Sequence, residues 1–87
     1  MKLDMPVIVD RIKEIIAERI GLDVEREDIA DETGLASRVG MDAIGFVELR
    51  FQCEEEFNIK VEDKEFSPAN FYSCQTLSRF IMNKLGA

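Results

Sequence analysis

Histidine and tryptophan are absent from this chain of 87 residues, and cysteine and proline occur only twice each. Without histidine, the chain has no imidazole base to activate a nucleophile, and it lacks the commonest metal ligand. The two cysteines, Cys53 and Cys74, do not have the CxxC spacing of a zinc or redox site, and their positions predict thiols buried among apolar side chains. The sequence therefore predicts a protein that is not an enzyme, has no catalytic residues and holds no metal ion.

Long apolar runs and clustered basic residues are also missing. No run approaches the roughly 20 residues that a membrane-spanning helix needs, and Met1 to Pro6 shows no signal-peptide pattern. We therefore expect a protein that does not bind membranes, and the two cysteines without CxxC spacing indicate a reducing, cytoplasmic location. The net charge is −7, with 18 acidic against 11 basic residues. This balance argues against nucleic acid, which needs clustered Lys and Arg, and indicates basic protein partners. The length predicts one domain over residues 1–87.

Helical periodicity predicts an all-α fold. The apolar spacing predicts a first helix over about 6–20, a second over about 43–57, and a last helix from Ser73 or Thr76 to about Lys84. Between them, Ser67 as a cap and Pro68 at the first helical position predict a short third helix ending near residue 71. The periodicity breaks over residues 22–41, and no segment alternates long enough to predict a strand. The prediction is a small four-helix bundle with a long loop between helices 1 and 2.

Two apolar stripes follow the predicted second helix. The first, within about 80° on a helical wheel, is expected to face the core and comprises Phe46, Leu49, Cys53 and Phe57. The second comprises Ile44, Val47 and Phe51, and it is flanked by Glu48, Glu54 and Glu55. A helix in so small a domain does not fully bury both stripes, so the second is expected to be a docking surface rimmed by carboxylates. The alternative, in which Ile44 and Val47 pack under the long loop, stays open.

The sequence around position 43 carries a family resemblance. Gly40-Met41-Asp42-Ala43-Ile44-Gly45 resembles the Gly-x-Asp-Ser-Leu/Ile modification site of acyl and peptidyl carrier proteins, with alanine at the serine position. The resemblance covers about Pro6 to Leu85. It includes the Glu54-Glu55-Glu56-Phe57 helix end and the Ser67-Pro68-x-Asn70-Phe71 segment, both at the family's order and spacing.

This resemblance implies a monomeric carrier with a compact four-helix fold. In the family, 4'-phosphopantetheine is attached at the position of Ala43, next to the helix-capping Asp42, and Met41 beside the site is expected to contact partners. The implied partners are a phosphopantetheinyl transferase, a loading ligase or acyltransferase, and synthase or tailoring enzymes. Gly45, Phe46 and Arg50 make the chain look more like a carrier of polyketide or nonribosomal peptide biosynthesis than of fatty acid biosynthesis.

Two explanations of Ala43 remain. An engineered Ser-to-Ala change would leave every docking feature in place, as the sequence has it. A naturally degenerate carrier would bind synthase components without ever being modified. In either case this form has no hydroxyl at position 43 and is not expected to carry the group.

Overall fold

The computed structural model describes residues 4–86 and contains three α-helices. They are α1, Met5–Arg19; α2, Ala43–Phe57; and α3, Cys74–Lys84. The long loop between α1 and α2 includes one 3-10 turn, Arg26–Asp28. Residues 4–86 contain no strand, so the predicted all-α class is confirmed.

The segment predicted as a short third helix forms consecutive turns instead. A single helical hydrogen bond, from the Phe71 N–H to the Ser67 carbonyl at 3.0 Å, spans it. The turn is not extended because Ser73, two residues further on, already caps α3: its side chain accepts a hydrogen bond from the Thr76 N–H at 3.2 Å. The bundle therefore has three α-helices, with a single turn where the fourth was expected.

Each end of α1 follows a local signal in the sequence. Asp4 caps its N-terminus by accepting a hydrogen bond from the Val7 N–H at 3.2 Å, and Pro6 lies in the first turn. Gly21 comes directly after the C-cap residue Ile20 and has a φ of 84°, a left-handed conformation that glycine adopts without a steric penalty. Among the residues described, no helix is both long and apolar enough to cross a membrane.

The core lies between the three helices and is closed by the loops. Side chains from every helix and both loops are buried in it, including Ile8, Ile12, Ile16, Ile29, Leu35, Leu49, Val61, Leu77 and Ile81. Phe71 links the turn segment to this core, with its ring 5.0 Å from Phe66 and 6.3 Å from Phe80 between centroids. The long loop is thus held by packing and needs no regular structure of its own.

Both cysteines are buried free thiols, as predicted. Burial away from water raises the pKa of Cys53 and of Cys74 from 9.0 to about 12. Neither thiolate is available near neutral pH, which agrees with the inference that neither cysteine is a nucleophile.

The raised thiol pKa values predict that stability falls as the pH rises above 9. Unfolded thiols ionise near pH 9.0, whereas the folded ones keep their protons to about pH 12. Alkali therefore stabilises the unfolded state, and the thiols' contribution, fully present below pH 9.0, is lost progressively towards pH 12. We expect urea midpoints to fall between pH 8 and 10.5, with a smaller fall when both cysteines are replaced by alanine. Equal falls in the two proteins would contradict this account.

Candidate functional site

Position 43 lies at the exposed start of α2. Gly40, with a φ of 85°, turns the chain into the helix, and Asp42 caps it by accepting a hydrogen bond from the Gly45 N–H at 2.8 Å. Ala43 is the first helical residue and is exposed. Asp42 takes up the Gly45 and Phe46 N–H groups, so an anionic group at position 43 would meet the N–H groups of Ala43 and Ile44 and the positive end of the helix dipole.

The first turn of α2 lies tightly against the residues that precede it. Gly45 is buried, and a Cβ atom placed there would lie 2.8 Å from Cγ of Met41 and 3.4 Å from Cγ2 of Ile20. Glycine therefore lets the helix approach the loop and the end of α1. Met41, expected from the sequence to contact partners, is only 4% exposed. The Met41 side chain packs beneath the first turn of α2, against Gly45. The expectation that Met41 forms part of a contact surface was therefore wrong.

The two apolar stripes of α2 differ in exposure, as their spacing predicts. Leu49, Cys53 and Phe57 are buried in the core, and Phe46 is half-buried. Ile44, Val47 and Phe51 are 79%, 42% and 55% exposed. The alternative in which Ile44 packs under the loop is therefore wrong, whereas partner binding by this second stripe stays a prediction.

The acidic residues beside the second stripe have different roles in the fold. Glu55 is exposed, and Glu48 is half-buried and accepts a hydrogen bond from the Gln52 amide at 2.9 Å. Glu54, however, accepts a hydrogen bond from the backbone N–H of Val61 at 2.8 Å. Its carboxylate therefore also holds the loop after α2, and partner contact by Glu54 stays a prediction. Of the three predicted rim residues, Glu48 and Glu55 have no hydrogen bond to the loop after α2 among the residues described.

An apolar groove of about 460 Å³ opens beside Ala43. Its walls come from the start of α2, the turn segment 66–72 and the long loop, and its lining comprises Ala36, Ser37, Ala43, Phe46, Val47, Phe66, Ser67, Pro68, Phe71 and Tyr72. Sequence reasoning missed this groove, because its walls come from three segments that are distant in the chain. The cluster of three aromatic residues around Pro68 was the available signal.

The first turn of α2, which begins at Ala43, has no side-chain hydroxyl. Ser37 lines the same groove but lies on the loop, and the Ser67 hydroxyl accepts a hydrogen bond from the Asn70 N–H at 3.3 Å. Neither is on the first turn of α2. Nor do residues 4–86 bring together three metal-ligating side chains. The residues described therefore place no hydroxyl on the first turn of α2 and no metal-ligating cluster beside it.

Comparison with known proteins agrees with this arrangement. The model of the phosphopantetheine attachment site family matches residues 10–81. Aminoacyl carrier protein 2 of Bradyrhizobium diazoefficiens is 28% identical over 80 residues, which cover 92% of this chain and 89% of that protein.

Solved structures show the same fold. The solution NMR structure of holo acyl carrier protein NE2163 from Nitrosomonas europaea matches with a TM-score of 0.79 and 21% identity, over 91% of this chain and 96% of that one. A chain in the crystal structure of Bradyrhizobium japonicum glycine:[carrier protein] ligase complexed with its cognate carrier protein and an analogue of glycyl adenylate matches with a TM-score of 0.70 and 26% identity. That match covers 87% of this chain and 97% of the other.

The family match takes in all of α2 with the capped position 43, most of α1 and most of α3. Proteins of this kind are carriers that use phosphopantetheine, and they are not enzymes. The chain belongs to the phosphopantetheine attachment site family and is a carrier protein of the acyl carrier type.

Proposed function

We propose that this chain, with serine at position 43, tethers acyl, aminoacyl or peptidyl intermediates as thioesters on a 4'-phosphopantetheine arm and presents them to partner enzymes. The observation that carries the proposal is the position of Ala43, exposed on the first turn of α2 and next to the capping Asp42. A phosphodiester there would be stabilised by the helix N-terminus, whose N–H groups have no partners inside the helix.

The residue present at position 43 does not fit the prosthetic group. Attachment needs a side-chain oxygen, and alanine ends in a methyl group. We propose that alanine was introduced in place of serine, because the Asp42 cap, the exposed stripe of α2 and the groove are all retained. The second candidate is a naturally degenerate carrier that binds synthase components unmodified, and only the alanine itself favours it.

An amino acid is the cargo that the comparisons support best. The relative from Bradyrhizobium diazoefficiens is an aminoacyl carrier protein, and the structural match at 26% identity comes from a complex with a glycine:[carrier protein] ligase. We therefore propose that the loading partner is a ligase that activates a small amino acid, acting after a phosphopantetheinyl transferase. Acyltransferases and synthase or tailoring enzymes are the other partners that a carrier of this family would meet.

An inhibition experiment with the alanine form tests whether its surface is recognised as that of a carrier protein. We expect it to inhibit modification of its own Ala43→Ser variant by a phosphopantetheinyl transferase, because both forms present the same α2 surface while only one can react. Inhibition should be competitive, with an inhibition constant close to the KM of the serine variant. Absence of inhibition at a large excess, with the serine variant still modified, would show that the transferase does not bind the α2 surface that the two forms share.

Charge reversal on the acidic rim gives a second prediction. Glu48→Lys in the Ala43→Ser background should slow modification by about three- to tenfold at low salt, because exposed charges steer association with a basic partner. High salt should shrink the defect by screening, and stability should change by no more than about 0.5 kcal/mol. Glu25→Lys, the same charge change on an exposed residue of the long loop, is the matched control. An equal defect in both variants would reject a local role for Glu48.

A further inference from the structure

Two side chains of α2 hold both backbone polar groups of a single loop residue. Arg50 donates a hydrogen bond to the Val61 carbonyl, and Glu54 accepts one from the Val61 N–H at 2.8 Å. The Val61 side chain is itself fully buried. Arg50 and Glu54 are four residues apart and so lie on one face of the helix, which fixes the register of the loop against α2.

The same arginine contacts the wall of the groove beside position 43. The guanidinium carbon of Arg50 lies 5.1 Å from the centroid of the Phe66 ring, a cation–π distance. Phe66 meets Phe71 edge-on, with centroids 5.0 Å apart, and both rings line the groove. Arg50 itself does not line the groove. It supports one of the rings that does.

The loop between α2 and Phe66 begins at a backbone turn. Asn58, directly after α2, has a φ of 53° and ends the helix in the left-handed conformation. Further along this loop, Asp63 forms an ion pair with Arg50 at 3.1 Å. The Asp63 side chain is 99% exposed, so this ion pair contributes little to stability. The backbone bond and the ring contact are therefore the interactions of Arg50 that place Phe66.

We propose that Arg50 is a positioning residue that sets the place of Phe66 and thereby the shape of the groove beside position 43. Glu54 holds the same loop in register by accepting the hydrogen bond from the Val61 N–H. Only one part of this inference rests on the proposed function, namely that the groove matters because it borders the attachment position, Ala43. The arginine's effect on the groove is a property of the unmodified chain and can be measured on it.

Tyr72 gives a direct readout, because it lines the groove and is the only tyrosine in a chain without tryptophan. In Arg50→Met, we expect the affinity for the neutral probe N-phenyl-1-naphthylamine to change by about two- to fivefold, the range that loss of one cation–π contact corresponds to. The acrylamide quenching constant of Tyr72 should change by a smaller factor, because that side chain is already 55% exposed. Arg50→Lys should lie between Arg50→Met and the parent chain. The matched control is Arg79→Met on exposed Arg79 of α3, and it should change neither quantity.

A purely structural arginine would give a different result. It would lower the urea midpoint in Arg50→Met while leaving quenching and probe affinity of the folded protein unchanged, and that result would overturn the proposal. If Arg50→Met fails to fold by circular dichroism, Arg50→Lys decides the matter by the same two measurements. Unchanged values in folded Arg50→Lys, or equal changes in Arg79→Met, would also overturn it. Failure here would leave modification of the Ala43→Ser variant unaffected, so the two proposals fail independently.

Discussion

Leu49→Ala is expected to lower the free energy of unfolding by about 2 to 5 kcal/mol, because it removes a fully buried side chain and leaves a cavity. Small domains have a total stability of only about 5 to 15 kcal/mol, so the variant should be partly unfolded or close to it. Phe51→Ala, two residues further along α2, removes a larger but mostly exposed side chain. Its loss should be much smaller, near the range of about 0.5 kcal/mol for surface changes.

Urea unfolding curves of the two variants, with Val47→Ala as a third, measure this difference. The three side chains come from one stretch of one helix, so differences in helix propensity between them are small beside the burial effect. Val47→Ala and Phe51→Ala should instead impair modification of the Ala43→Ser background, since we propose that they contact partners. If Phe51→Ala unfolds the domain and Leu49→Ala is tolerated, the inner and outer stripes are reversed and the proposed docking surface is wrong.

The three α-helices that form were readable from the sequence to within about a residue or two because their signals are local, whereas the short helix predicted to end near residue 71 does not form. The predicted second helix, 43–57, has the bounds observed for α2, since Asp42 supplies a cap and Asn58 a left-handed stop. The start of α3 at Cys74 likewise follows from the Ser73 and Thr76 side chains, which cap it reciprocally. In each case the groups that satisfy the helix ends are within four residues of them, where a sequence pattern can show them.

The candidate site was only half readable, because the rest depends on contacts between distant segments. Periodicity separates exposed Ile44 from buried Leu49, but it cannot show that the Met41 side chain turns inward against Gly45. Nor can it show that the Glu54 carboxylate reaches the backbone of Val61, or that the turn segment forms the far wall of a groove. Local patterns give the faces of a helix, whereas tertiary packing decides what covers each face.

We propose that one missing hydroxyl, at position 43, separates this chain from a carrier that can be loaded. Serine at position 43 would place its hydroxyl on the exposed first turn of α2, beside the cap that Asp42 forms with the Gly45 N–H. Replacing alanine by serine near the N-terminus of a helix changes stability little, because serine's lower helix propensity amounts to about 0.5 kcal/mol in a helix interior and less at an end. Ala43→Ser should therefore convert a chain that the transferase cannot modify into one that it modifies completely, without changing the fold.

Intact-protein mass spectrometry of the Ala43→Ser variant, after incubation with coenzyme A, Mg²⁺ and a broad-specificity phosphopantetheinyl transferase, tests that claim most directly. We expect a mass increase of one 4'-phosphopantetheine group, located by peptide mapping at position 43, and no increase for the parent chain under the same conditions. A serine variant that stays unmodified while another carrier protein is converted in the same tube would contradict the claim, as would modification of the alanine form at any residue.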